Sequence, residues 1–192
     1  MIQRVWERVS ALLDVGPAYV ATDDQEQWNL LVGLGANCIL TGEEKTGSDR
    51  CAAALPIIEA LENKHFDFVI NVQGDMPFVS LSLVRLVAMI RENAEEDVVS
   101  AVCPHSLVKA DDAYWPEFDR INVKEHIGIY AFKRQALIDF HSELQSEKEL
   151  RTNLEMNRMP LSFEFVDWPY MPLEVNTQED VMRIEDLASA LR

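Results

Sequence analysis

The chain has 192 residues, of which 48% are hydrophobic and 26% are charged. This length is enough for one domain with a substantial core, and the composition is ordinary for a globular protein. A formal net charge of −16 argues against non-specific binding to nucleic acid or to anionic membranes. No apolar run approaches the ~20 residues of a membrane span, and the amphipathic start has no signal-peptide core. We therefore expect a cytoplasmic protein without membrane insertion, formed as a single domain over residues 1–192.

Hydrophobic spacing along the chain predicts helices and short strands in alternation. We expect helices at about 2–13, 24–33, 51–63, 80–90, 133–141, 145–157 and 177–191. We expect strands at about 18–21, 37–40, 67–70, 97–103, 126–132 and 163–166. This alternation indicates a three-layer α/β domain with a mostly parallel sheet. Residues 104–172 include the least regular stretch and are assigned as a substrate or dimer subregion.

The stretch from Asn71 to Pro77 follows an apolar run, Asp67 to Ile70, that is typical of a buried parallel strand. Asp75 therefore lies at the carboxyl end of that strand, where open α/β sheets bind their ligands. A carboxylate there can hold a hard cation through oxygen, and the cation can hold phosphates. A polar strand-to-helix turn, with Asp75 bonded to nearby backbone amides, explains the local pattern equally well.

A second polar segment, Thr46 to Arg50, comes directly before a predicted helix. Hydroxyls, small residues and backbone amides at a helix start form an anion site, and Arg50 would add a charge-assisted hydrogen bond. On these residues alone, a capped helix with a surface arginine is the simpler interpretation.

Four segments together resemble the 3-deoxy-manno-octulosonate (Kdo) cytidylyltransferases. The run Asn71 to Pro77 differs from that family's metal-binding Asn-Val-Gln-Gly-Asp-Glu-Pro only at Met76. The run from His126 to Ala131 reads His-Ile-Gly-Ile-Tyr-Ala, as in the family, and Thr46 to Arg50 is similar to its Ser-Gly-Thr-Asp-Arg. Residues 173–180 resemble its Gly-Val-Asp-Thr-Pro-Glu-Asp-Leu. The resemblance implies a Rossmann-like nucleotidyltransferase fold that transfers CMP from CTP to Kdo, giving CMP-Kdo and pyrophosphate for lipopolysaccharide biosynthesis.

The resemblance also implies roles for individual residues. The catalytic, metal-holding pair would be Asp75 and Asn176, with Mg²⁺ as the cofactor. The nucleotide-binding residues would be Thr46, Gly47, Ser48 and Arg50. The residues that bind the sugar acid would be Gln73, His126, Tyr130 and Glu155. The partners implied are CTP, Kdo and a second copy in a homodimer, with no nucleic acid.

Glu155 is assigned from a helix that resembles the family's Gln-Leu-Arg-x-Leu-Glu, with Glu149 to Arg151 matched to its start and one extra residue before Leu154. A solvated helix face explains this segment equally well. Phe118 to Arg120 is the candidate counterpart of a Phe-Ser-Arg segment in the family.

Two departures from the family pattern leave other hypotheses open. Asn176 stands where the family has a metal-binding aspartate, so it offers a neutral oxygen and we expect weaker metal binding. Met1 aligns with a methionine that is internal in the family, so its first strand and its basic triphosphate loop have no counterpart in this sequence. The alternatives are a non-catalytic relative that binds sugar or a partner, or a cytidylyltransferase for a related sugar acid. A natural protein that begins upstream of Met1 would restore the strand and the loop.

Overall fold

The computed structural model describes residues 1–104 and 124–190. The helices are α1 (Ile2–Val9), α2 (Gln25–Gly33), α3 (Gly47–Glu62), α4 (Leu81–Arg91), α5 (Arg134–Ser142), α6 (Glu147–Thr152) and α7 (Gln178–Ala190). The strands are β1 (Val20–Thr22), β2 (Cys38–Leu40), β3 (Phe68–Val72), β4 (Val98–Pro104), β5 (Lys124–Lys133) and β6 (Phe163–Asp167). A 3-10 turn covers Glu155–Asn157. None of the helices in these ranges is long and apolar enough to cross a membrane.

The strands form two sheets that lie side by side. β1 and β2 pair in parallel, and the larger sheet has the order β3-β5-β4-β6. Within the larger sheet β3, β4 and β6 run in one direction, and β5 opposes them. The helix α3 contacts β1, β2 and β3, which places the small sheet beside the β3 edge. Among the described strands no ladder joins the two sheets. The mostly parallel α/β arrangement that the alternation predicts is confirmed.

Strand β5 shows why the domain has three layers. Its residues Ile127, Ile129 and Ala131 pack into a core with α1 and α4 on one face of the sheet. The alternate residues Tyr130 and Phe132 pack into a second core with α3 and α5 on the other face. Successive side chains of a strand point to opposite faces, so a strand covered on both sides has to be apolar at almost every position.

A bulge interrupts β5 close to the carboxyl end of β3. Ser100 of β4 pairs with Tyr130, whereas the next residue of β4 pairs with Ile127. Two residues of β5, Gly128 and Ile129, are therefore left without a partner on β4. The Ser100 hydroxyl donates a hydrogen bond to the Ile129 carbonyl at 3.0 Å, which stabilises this irregular step. Bulges of this kind redirect side chains and are common beside active sites.

Three predicted helix boundaries are wrong. The helix expected at 51–63 already begins at Gly47, because the Thr46 hydroxyl accepts a hydrogen bond from the Asp49 amide at 3.3 Å and caps it there. The helix expected at 145–157 is broken at Asn153, whose φ of 51° is left-handed and ends α6. The first helix ends at Val9, and Leu13, expected on its apolar face, is 85% exposed.

The structure does not test some other predictions made from the sequence. The segment Phe118 to Arg120 lies outside the described residues, as does most of the irregular stretch. The assignments of a single domain over 1–192 and of a substrate or dimer subregion at 104–172 stay predictions.

Candidate active site

Asp75 follows β3 in a turn that the carboxyl-terminal segment holds in place. The Val175 amide donates a hydrogen bond to the Asp75 carbonyl at 2.9 Å. The Asp75 Oδ1 atom is buried and has no hydrogen-bond partner among the described residues. Burial raises the pKa of this carboxyl group above its ordinary value. A buried carboxylate oxygen without a partner suits a cation, because a cation supplies the charge compensation that the protein leaves out.

The rings of His126 and Tyr130 stack next to this turn, on the α3 and α5 side of the sheet. Their centroids are 4.7 Å apart with an interplanar angle of 18°. The Tyr130 hydroxyl lies 3.3 Å from His126 Nδ1. Gly128 stands between them in the strand and has no side chain, so the two rings meet directly above it. Gln73 completes the group, since its backbone amide donates a hydrogen bond to the Gly128 carbonyl at 3.2 Å.

Burial fixes the protonation states of the stacked pair. Tyr130 is 1% exposed, and its pKa is raised well above the ordinary value by burial first and then by the carboxylates of Glu155, Glu174 and Asp75. Burial lowers the pKa of His126 to about 4. At neutral pH the site therefore presents a neutral phenol and a neutral imidazole, surrounded by carboxylates.

Glu155 links the 3-10 turn to the start of α3. It is 8% exposed, and its Oε2 accepts a hydrogen bond from the Ser48 amide at 3.1 Å. The other carboxylate oxygen, Oε1, is buried and finds no hydrogen-bond partner in the part of the chain that the structure describes. Burial raises the pKa of this carboxyl group, although the bonds from Thr46 and Ser48 oppose the shift. The alternative of a solvated helix face is therefore wrong for Glu155.

The predicted nucleotide loop is held by bonds within the protein. Ser48 is fully buried, and its hydroxyl accepts a hydrogen bond from Asn71 Nδ2 at 3.2 Å. The Thr46 hydroxyl donates to Asp49 Oδ2 at 2.8 Å. In this arrangement both hydroxyls serve to order the loop, with Gly47 between them.

Arg50 does not project freely from the first turn of α3. Its guanidinium donates to Asp23 Oδ2 at 3.0 Å and to Thr41 Oγ1 at 2.8 Å, at the carboxyl ends of β1 and β2. The Asp23 carboxyl group has a lowered pKa, chiefly because of this hydrogen bond. Arg50 is thus placed at the ligand-binding edge of the small sheet, where part of its charge is already compensated.

Asn176 lies at the exposed start of the last helix. Its side-chain amide donates to Glu174 Oε2 at 3.4 Å. The Asp180 carboxylate accepts from the Thr177 amide at 2.8 Å, and the Asp180 amide donates to Thr177 Oγ1 at 3.2 Å, which together form a capping box. Among the described residues no group of three or more His, Cys, Asp or Glu side chains is arranged to hold a metal ion. A cation at Asp75 and Asn176 would take its remaining ligands from substrate and water.

Three functional candidates were missed by sequence reasoning: Asp49, Arg158 and Glu174. Asp49 and Arg158 form a fully buried ion pair with oxygen–nitrogen distances of 2.5 and 2.8 Å. Arg158 comes three residues after Glu155, and this spacing was a usable signal, because both residues then lie within one helical turn. Arg151, the arginine matched to the family's helix, is exposed.

A groove on the surface lies away from these residues. It has a volume of 680 Å³ and is lined by His65, Phe68, Arg91, Lys133 and Arg134, among others. These residues mark the amino-terminal end of β3, opposite to Asp75. The candidate site is therefore assigned from its buried polar groups at the carboxyl ends of the strands.

Comparison with known proteins shows the family to which the chain belongs. The sequence model of the cytidylyltransferase family matches residues 1–115. A 3-deoxy-manno-octulosonate cytidylyltransferase from Methylobacterium radiotolerans is 30% identical, over 100% of this chain and 87% of that protein. One from Zea mays is 29% identical over 100% of this chain, which spans 63% of its length. A solved CMP:2-keto-3-deoxy-manno-octonic acid synthetase complexed with CTP superposes with a TM-score of 0.79 at 22% identity, covering 100% of this chain and 88% of that one. The chain therefore belongs to the cytidylyltransferase family, among the 3-deoxy-manno-octulosonate cytidylyltransferases.

Proposed function

We propose that this chain transfers CMP from CTP to Kdo, giving CMP-Kdo and pyrophosphate. The observation that carries the proposal is the group formed by Gln73, His126 and Tyr130 around Gly128, next to the carboxylate of Asp75, whose Oδ1 is buried. This group offers neutral hydrogen-bonding side chains for a polyhydroxy acid, and it lies at the strand ends where this fold binds its ligands. Family membership supplies the choice of CTP and Kdo.

The reaction is an in-line displacement at phosphorus. A hydroxyl oxygen of the sugar acid forms a bond to the α-phosphorus of CTP, the bond from that phosphorus to the oxygen of the β-phosphate breaks, and pyrophosphate leaves. The hydroxyl proton is released. Such reactions depend on positioning and on charge stabilisation more than on covalent chemistry by the protein. Gln73, His126 and Glu155 would orient the sugar acid, and the loop 46–50 would hold the nucleotide.

A divalent cation, Mg²⁺, belongs to the proposal for an electrostatic reason. Both substrates are anions, and the site already holds the carboxylates of Asp75, Glu155 and Glu174. Asp75 fits as a ligand because its Oδ1 is buried without a hydrogen-bond partner among the described residues, and Asn176 would add a neutral oxygen. Bound there, Mg²⁺ would offset the charge of the phosphates.

We further propose that the enzyme is a cytoplasmic homodimer that serves lipopolysaccharide biosynthesis, with family membership as the support. Sedimentation equilibrium over a range of protein concentrations tests the dimer, and a mass that stays at one chain throughout would contradict it.

The decisive experiment measures pyrophosphate release from CTP in the presence of Kdo and Mg²⁺. We expect release that requires Kdo and is reduced at least 100-fold, about 3 kcal/mol, in Asp75→Asn. The matched control is Asp67→Asn, the same change at the exposed amino-terminal end of the same strand, which should keep the wild-type rate. No release from the folded wild-type chain would refute the enzymatic proposal.

One observation favours a second candidate, a non-catalytic binder. Asn176 carries no charge, and its side-chain amide is turned towards Glu174, so the metal site has one charged ligand fewer than the family pattern. A chain that binds CTP and Kdo by calorimetry but releases no pyrophosphate would establish this second function. A chain that reacts faster with an amino analogue of Kdo than with Kdo would instead identify a related sugar acid as the substrate.

A further inference from the structure

Arg158 is the most completely engaged side chain near the site. Its side chain is fully buried, and its guanidinium makes five hydrogen bonds. Two go to the carboxylate of Asp49 at 2.5 and 2.8 Å, and two go to the carboxylate of Glu149 at 3.0 and 2.7 Å. The fifth goes to the Phe140 carbonyl at 3.3 Å, and the same residue's ring lies 4.1 Å from the guanidinium carbon. We call Arg158, Asp49 and Glu149 the Arg158 clamp.

The clamp reaches the nucleotide loop through Asp49. This residue lies in the first turn of α3 and is fully buried. Its carboxylate accepts a hydrogen bond from the Thr46 hydroxyl at 2.8 Å, and its backbone amide donates one to the same hydroxyl oxygen at 3.3 Å. His141 Nδ1 lies 3.2 Å from Asp49 Oδ1. Asp49 is thus one of the points at which the loop 46–50 is bonded to the rest of the protein.

The clamp also reaches the residue proposed to bind the sugar acid. The Arg158 backbone amide donates to the Glu155 carbonyl at 3.0 Å, which closes the 3-10 turn. The Glu155 carboxylate in turn accepts from the Ser48 amide at 3.1 Å. A closed ring of contacts therefore joins Arg158, Asp49, Ser48 and Glu155. In this ring the Arg158 side chain bonds the loop 46–50 through Asp49, and the Arg158 backbone bonds the 3-10 turn at Glu155.

We propose that Arg158 is a positioning residue that sets the Glu155 carboxylate against the nucleotide loop, so that the two substrate sites keep a fixed spacing. The inference rests on the proposed function for the identity of the two substrates. The Arg158 side chain is fully buried, so it would act through Asp49 and Glu155. An arginine suits this role because its planar fork binds two carboxylates at once, whereas a lysine is a point charge that can satisfy one.

The test compares Arg158→Lys with Arg91→Lys. Arg91 is the matched control because it is 3% exposed and, within the described ranges, its guanidinium bonds the backbone carbonyls of Ala94 and Glu96, at the far end of the sheet. We expect Arg158→Lys to weaken binding of both CTP and Kdo by at least tenfold, measured by calorimetry. We expect Arg91→Lys to lower the unfolding temperature but to leave both affinities within twofold of wild type.

A second readout separates positioning from the proposed chemistry. In the ligand-free protein the Ser48 amide should exchange its hydrogen at least tenfold faster in Arg158→Lys than in wild type, and at the wild-type rate in Arg91→Lys. If the lysine variant does not fold, Asp49→Asn, which keeps the size of the side chain, should show the same acceleration. Wild-type affinities together with wild-type Ser48 exchange in a folded variant would overturn the inference. If the wild-type chain binds neither CTP nor Kdo, the proposed function fails, and Ser48 exchange alone decides whether Arg158 positions the loop.

Discussion

The side chain of Gln73 lies flat against the backbone of Gly128. A Cβ atom built on Gly128 would stand 2.3 Å from Gln73 Oε1 and 2.7 Å from its Cδ, which is closer than non-bonded atoms approach. The close contact is possible because Gly128 sits at the bulge of β5, where the strand leaves its regular pairing with β4. Gly128 therefore leaves room for the Gln73 side chain beside the stacked rings of His126 and Tyr130.

The first prediction concerns Gly128→Ala. The added methyl group must displace Gln73, so kcat/KM for Kdo should fall at least tenfold, about 1.4 kcal/mol or more in transition-state stabilisation. Gly33→Ala is the control, since no atom lies within 4 Å of a Cβ at that position. Steady-state kinetics with Kdo varied at saturating CTP measures the effect. Unchanged kinetics in Gly128→Ala would show that the position of Gln73 has no part in the reaction.

A double substitution tests whether the contact between Gln73 and residue 128 causes the loss of activity in Gly128→Ala. In Gln73→Ala with Gly128→Ala the clash is gone, because the side chain that would meet the new methyl group is absent. The free energy of unfolding should therefore return towards that of Gln73→Ala alone, while kcat/KM stays low. Chemical denaturation of the four proteins measures the coupling between the two positions. Additive effects on stability would contradict the direct contact.

The second prediction follows from the low pKa of His126, which burial brings from 6.5 to about 4. Between those two pH values the unfolded chain binds more protons than the folded one, so this residue makes stability fall as the pH falls. Relative to His126→Gln, the wild type should lose up to about 3 kcal/mol between pH 7 and pH 4. Urea unfolding across this range measures the difference, and parallel curves for the two proteins would contradict it.

Much of the fold was predictable because its signals are local. The run from Phe68 to Ile70 is apolar at successive positions, and in β3 Val69 and Ile70 pack against the cores on opposite faces of the sheet. The expected parallel pairing is wrong for this strand, because in the described sheet β3 lies at the edge and pairs with the antiparallel β5. The position of Asp75 was predictable, since a Gly-containing turn after such a strand puts a carboxylate at the ligand-binding edge. The capping box of Thr177 and Asp180 was visible in the sequence for the same reason.

The missed features depend on contacts between distant parts of the chain. Asp49 and Arg158 are 109 positions apart. The hydropathy of the sequence around either residue does not show that the two will form an ion pair. The bulge at Gly128 arises from pairing with β4, which the pattern of β5 alone does not encode. Tertiary contacts of this kind override local preference, and they determine the geometry of the candidate site.

The third prediction restores a charge to the proposed metal site. Asn176 is exposed, so Asn176→Asp should fold as wild type does. A second carboxylate near Asp75 would attract a divalent cation more strongly, and the Mg²⁺ concentration for half-maximal activity should fall by about tenfold, or 1.4 kcal/mol. Titration with Mn²⁺, followed by its electron paramagnetic resonance signal without substrates, measures the affinity directly. An affinity equal to that of wild type would place the metal elsewhere.

The fourth prediction is that Glu155 lowers stability while it serves the reaction. Its carboxylate is 8% exposed, one oxygen has no hydrogen-bond partner among the described residues, and burial raises its pKa. A raised carboxyl pKa means that the charged form is disfavoured in the folded state, so at pH 7 Glu155→Gln should increase the free energy of unfolding. This gain should shrink as the pH falls, because the wild-type carboxyl group then becomes neutral in the folded protein.

The same substitution should lower kcat/KM for Kdo, since the amide cannot replace the charge that the loop and the turn hold in place. Glu164→Gln, on an exposed position of β6, is the control and should change neither quantity. Urea unfolding at pH 7 and pH 5 and steady-state kinetics measure the two effects on the same protein samples. If Glu155→Gln is instead less stable than wild type at pH 7, the hydrogen bond from the Ser48 amide to the charged carboxylate contributes more to stability than burial of the charge costs. The Glu155 carboxylate would then stabilise the fold, and its burial would need no explanation from the reaction.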